Sequence, residues 1–112
     1  MEYREIKRLS REDLRAAAES GDDRAWVEAM LGVARFDPDL KWIESYLLER
    51  FDEPSFTLRR GAIQALAELA GRHGIANKEL VISRLRQAGA DTKLSGVAGD
   101  AIDDIALFTA IE

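Results

Sequence analysis

Apolar residues fall at helical spacing in six successive stretches, with polar turns between them. The clearest stretch is residues 52–70. Leu58, Ala62, Ile63, Leu66, Ala67, Leu69 and Ala70 recur there at i, i+3, i+4 and i+7, the stripe of a helix with one buried face. Arg59, Arg60, Gln64 and Glu68 lie on or beside the other face, and Gly74 is a natural stop because glycine accepts the left-handed conformation. Upstream, Ser10 and Asp13 form a capping box in which Asp replaces the usual Glu, predicting a helix over 11–19 with Leu14, Ala17 and Ala18 inward. A Ser-Gly-Asp-Asp turn leads to a second helix over 23–35, striped by Trp26, Ala29, Met30 and Val33. Asp37-Pro38-Asp39 reads as N-cap, first helical position and dipole partner of a third helix reaching about residue 50.

Leu40, Ile43 and Leu47 stripe that helix. Trp42 and Tyr46, four residues apart, read either as packing or as an exposed aromatic ridge. Asn77 caps a fifth helix over 78–87 with Leu80, Val81, Ile82 and Leu85 as its apolar set. The sixth covers about 92–110. Gly96 and Gly99 each cost roughly 1 kcal/mol there relative to alanine, so its start is irregular or lies nearer Val97. Tyr3, Ile6 and Leu9 suggest a frayed helix or a docked arm, and no strand signal has comparable strength.

Six helices joined by short turns make three hairpins, roughly 10–36, 37–73 and 77–111, in one domain. Ala25-Trp26, Ala62-Ile63 and Ala101-Ile102 mark equivalent points, 37 and then 39 residues apart. Helical-hairpin solenoids have periods in this range, and about three such units are needed before stacking buries their apolar faces. Asp52, Glu53, Pro54, Leu58, Arg59, Ala62, Ile63, Ala65, Leu66 and Leu69 resemble the HEAT repeat family and its armadillo-like relatives: an Asp-containing turn, a Leu-Arg pair and an Ala-rich second helix. Asp91, Val97, Ala101, Ile102 and Ile105 match in part, with Ala98 where the arginine would stand. The first hairpin matches only through Ala25, Trp26, Ala29 and Met30. The resemblance implies an all-α, HEAT-like solenoid that binds other macromolecules. A closed helical bundle is the competing architecture.

Composition narrows the function. Cysteine is absent, so there is no disulfide framework, thiolate metal site or cysteine nucleophile. The amino terminus lacks the apolar segment of a signal peptide, and no apolar run approaches the ~20 residues of a membrane span. A cytoplasmic protein without membrane contact is expected. The net charge of −5 argues against direct nucleic-acid binding, which needs a basic stripe, and favours a basic partner. Small acidic helical-repeat chains also look like some bacterial immunity proteins, including those of contact-dependent growth inhibition. That likeness implies binding and neutralising a basic toxin domain, for instance a nuclease.

Asp100, Asp103 and Asp104 share one helical face, being three and four apart. They read either as a solvated face or as a docking patch for a partner's lysines and arginines, joined by Glu68 and Glu28. Three aspartates on one helix do not enclose a cation, so no metal or other cofactor is expected. Under the HEAT resemblance, Arg59 has a structural role, pairing with Asp52 of the turn or with Asp91. His73, the sole histidine, has no serine or carboxylate placed beside it by sequence. A non-enzymatic chain with no catalytic residue is the expectation. The rival is an adaptor or assembly subunit, homodimerising through Leu107, Phe108 and Ile111 of the carboxy-terminal repeat.

Overall fold

The structure, a computed structural model, describes residues 9–109, excluding the side chains of Phe108 and Thr109. The expectations for Tyr3, Ile6, Ile111 and the Phe108 side chain therefore lie outside the described residues. The elements are α1 (Arg11–Glu19), α2 (Asp23–Phe36), α3 (Leu40–Glu49), a 3-10 turn (Arg50–Asp52), α4 (Phe56–Arg72), α5 (Lys78–Ala88) and α6 (Ser95–Thr109). Among the described residues the fold is all-α, as the periodicity predicts.

Local chemistry sets most of the boundaries. The Ser10 hydroxyl accepts from Asp13 N, and Asp13 returns a bond to Ser10 N, completing the capping box. The Ser10 backbone and hydroxyl bonds hold the Asp13 carboxyl below its ordinary range. Asp22 caps α2 through Arg24 N and Ala25 N, and Asn77 caps α5 through Leu80 N. At Gly74, φ is +96°, and its N–H reaches back to the carbonyls of Leu69 and Ala70 to end α4.

Two junctions refine the sequence expectation, at the starts of α3 and α6. Asp39, not Asp37, caps α3, accepting from Trp42 N. Asp37 instead receives Arg11 and the Asp39 N–H, so Pro38 precedes the cap. Ser55 caps α4, which starts at Phe56 directly after the polar turn, as read from the sequence. A turn over residues 91–94 precedes α6, which begins between the two expected starts and keeps Gly96 and Gly99 inside it.

The helices pair as α1 with α2, α3 with α4, and α5 with α6. The second helices stack side by side, with α4 in the centre, α2 on one flank and α6 on the other. This is the stacked-hairpin arrangement that the spacing predicts. With extents of 35 × 33 × 31 Å, three pairs make a block as wide as it is long. One core runs through every helix, from Leu14 through Met30, Ile43, Leu66 and Leu85 to Ile105. Gly61 lets α2 and α4 approach: a Cβ there would stand 2.5 Å from the Val27 side chain. Leu80, expected in the core, is 45% exposed, while Val81 and Leu85 carry the burial of α5. No helix of the described residues is long and apolar enough to cross a membrane.

Candidate functional site

The first helices α3 and α5 make one side of the block, and several polar groups there are tied to one another or to the backbone. Glu44, 4% exposed, accepts from Ala76 N at 2.7 Å and Asn77 N at 3.0 Å, holding the entry to α5 against α3. The Arg84 guanidinium donates to the Leu48 carbonyl at 3.1 Å and to Asp52 at 3.4 Å. Arg11 lies over the Trp42 ring at 4.1 Å and Trp42 stacks on Tyr46 at 5.3 Å. Arg50 covers Tyr46 from 4.6 Å, and Trp26 Nε1 donates to Tyr46 Oη at 2.8 Å. Trp42 and Tyr46 are thus a stacked ladder between two guanidiniums and not an exposed ridge; each cation–π contact contributes ~0.5–2 kcal/mol. Asp37, bonded to Arg11, has its carboxyl held below the usual carboxylate range.

The opposite side, formed by α2, α4 and α6, carries two open grooves. One, of about 740 Å³, lies between the starts of α2 and α4 and is lined by Gly21, Asp22, Arg24, Val27, Phe56 and Arg60, among others. The second, of about 380 Å³, runs beside the end of α4 and is lined by Arg35, Gln64, Glu68, Arg72 and Asp104, among others. Asp100, Asp103 and Asp104 are exposed on α6, and none has an ion-pair partner among the described residues. Leu107, one turn beyond Asp103 and Asp104, is 65% exposed. The α6 surface is therefore an apolar side chain beside three carboxylates, a combination suited to an interface centre with a charged rim.

Comparison with protein-family models gives no match, and neither does comparison with curated proteins. A solved structure does match: the chain resembles one in the crystal structure of a CDI complex from Cupriavidus taiwanensis LMG 19424. The TM-score is 0.83 at 26% identity, over 97% of this chain and 98% of that one. The likeness extends over the whole stack and is not confined to one hairpin. It does not assign the chain to the HEAT or armadillo family.

Of the expected contact residues, Asp100, Asp103 and Asp104 come together on α6. Glu68 does not join them as a free carboxylate: its Oε2 pairs with both Arg35 and Arg72, each at 3.2 Å. Glu28 is exposed on α2, on the other flank of α4, and lines neither groove. Arg59 reaches Asp91 at 3.7 Å, joining α4 to the turn before α6, while Asp52 serves Arg84 instead. The His73 ring nitrogen sits 2.9 Å from the Arg35 carbonyl, tying the end of α4 to the end of α2.

Sequence reading missed Glu44 and Ser55. Glu44 stands between Ile43 and Ser45 with no local pattern to distinguish it from a solvated glutamate. Its partners are 32 and 33 residues away. Ser55 was legible as a capping type, but its hydroxyl also donates to Asp23 at 2.6 Å, joining the starts of α4 and α2.

Proposed function

We propose that this chain is an immunity protein of contact-dependent growth inhibition, which binds a toxin domain and neutralises it without catalysis. The observation that carries this reading is the end-to-end likeness, at a TM-score of 0.83, to a chain that occurs in a CDI complex. The acidic balance of the chain supports the immunity role over the toxin role, with 21 acidic against 16 basic residues. A nuclease toxin fits this balance, because enzymes that act on nucleic acid carry a basic substrate channel to which an acidic protein is complementary.

On this reading the α6 face docks on basic side chains of the toxin, with Leu107 as the apolar anchor. The complex forms in the cytoplasm of the protected cell. The test is co-expression with a cognate CDI toxin domain from the same source. Restored growth together with a co-eluting 1:1 complex is the expected result. Unrelieved toxicity and separate elution overturn the reading. A concentration-dependent homodimer that occludes Leu107 and binds no toxin would favour the adaptor or subunit reading.

A further inference from the structure

We infer that the groove between the starts of α2 and α4 is a second contact on the same partner, one that receives a carboxylate-bearing loop. The inference rests on the immunity reading and adds to it a site of opposite sign to the α6 face.

Among the described residues, Arg11, Arg35, Arg50, Arg59, Arg72 and Arg84 are each held by a carboxylate. Arg24 and Arg60 are exposed, have no such partner, and both line the larger groove. Beside them Phe56 is 38% exposed and lines the same groove, offering an apolar surface next to the two guanidiniums. The groove also contains two carboxylates, but both have local roles. Asp22 Oδ1 accepts the first amides of α2, and Asp23 Oδ2 accepts the Ser55 hydroxyl. Each sits at a helix start, where the dipole contributes roughly half a positive charge. With Asp22 and Asp23 already engaged and the two helix starts adding positive charge, the two guanidiniums are the groups left free to take a partner, and Phe56 lines the groove with them. A partner side chain that suits this arrangement is an Asp or Glu on a loop, accepting a forked bond from Arg24 or Arg60 while its neighbours pack on Phe56. At its floor α2 and α4 are in close contact, with Gly61 packed against Val27.

Recognition then has two poles. The α6 carboxylates meet basic side chains, and the α2/α4 groove meets an acidic loop. Two poles of opposite sign fix the orientation of the partner, which one acidic patch cannot do.

The sign of the effect makes the test sharp. R24E/R60E adds negative charge to a chain that already attracts a basic toxin. If charge acts only through the overall field, the double variant binds as well as wild type or better. If the groove receives a carboxylate, it binds at least about tenfold more weakly, a loss typical of opposing like charges at an interface. R15E/R86E is the control: both arginines are exposed and without an ion-pair partner among the described residues, and neither lines the groove. The measurement is calorimetric titration of that cognate toxin domain, in a catalytically dead form, against wild type and both double variants, with thermal melting to show that all are folded. Tenfold weakening by R24E/R60E alone is the expected result, and a toxin carboxylate changed to lysine should restore it. Equal affinity of R24E/R60E and wild type overturns the groove contact while leaving the immunity reading in place. No binding by wild type overturns both.

Discussion

The two sides of the helical block differ in how much of their charge is tied to the fold. On the side built from α3 and α5 the long-range polar contacts are concentrated, although Lys41, Glu79 and Arg86 also stand there without ion-pair partners among the described residues: Glu44 binds two amides, Arg84 a carbonyl and Asp52, and Arg11 and Arg50 aromatic rings and carboxylates. On the side built from α2, α4 and α6, Arg24, Arg60, Asp100, Asp103 and Asp104 stand without ion-pair partners among the described residues. The difference teaches where to look for recognition. A charge already paired holds hairpins in register, and only an unpaired one can gain a partner on binding without first losing another. Glu68 shows the boundary: it lies on the side of α2, α4 and α6, but Arg35 and Arg72 already hold it.

Mutations should separate the two sides, beginning with the largest effect. Glu44→Ala removes the buried acceptor for two amides and should destabilise the fold by about 3 kcal/mol, read as a lowered denaturation midpoint. Affinity of the folded fraction for the toxin should be unchanged. Tyr46→Phe deletes the acceptor of Trp26 Nε1 and should cost about 1 kcal/mol by the same measurement, with binding again unaffected.

Asp37→Asn tests the outer ion pair by pH. The folded carboxyl is depressed, chiefly by the Arg11 hydrogen bond, so its contribution is present above the unfolded value of about 3.9 and is lost as pH falls through the folded one. Wild type should be the more stable at neutral pH, and the gap should close on acidification below about pH 4. A gap that persisted at low pH would show that Asp37 acts through packing. The smallest effect on stability belongs to the side proposed to bind. Asp103→Lys with Asp104→Lys should shift the unfolding free energy by no more than about 0.5 kcal/mol, while weakening the toxin complex and flattening its salt dependence. A large loss of stability would place those aspartates among the structural charges.

Much of this division was legible in the sequence, because helices are written locally. The capping box at Ser10, the Asn77 cap, the Gly74 stop and the α4 stripe each lie within a few residues of what they control. The 37- and 39-residue spacings placed α2, α4 and α6 in one stack for the same reason. The destinations of the long side chains were not legible. Arg59 had two plausible acceptors, and the choice of Asp91 over Asp52 depends on how the third hairpin sits on the second. Asp37 looked like a cap until Arg11 from another helix took it. The extent of the acidic patch was not legible for the same cause. Asp100, Asp103 and Asp104 share a helix, so their common face followed from spacing, whereas Glu68 and Glu28 were added across helices: Glu68 shares a groove with Asp104 but is held by Arg35 and Arg72, and Glu28 lines neither groove. The Arg24–Phe56–Arg60 groove joins residues more than 30 positions apart, and no local pattern announced it.

The Glu44 contact also provides a clock for the molecule. Ala76 and Asn77 lie in an exposed connection between α4 and α5, where amide protons ordinarily trade with water within seconds or faster. Here both point at a carboxylate beneath the surface, so their exchange waits for α5 to lift from α3. Two slow amides in an otherwise fast loop would report the detachment of the third hairpin directly, and their rates would give the free energy of that partial opening separately from global unfolding.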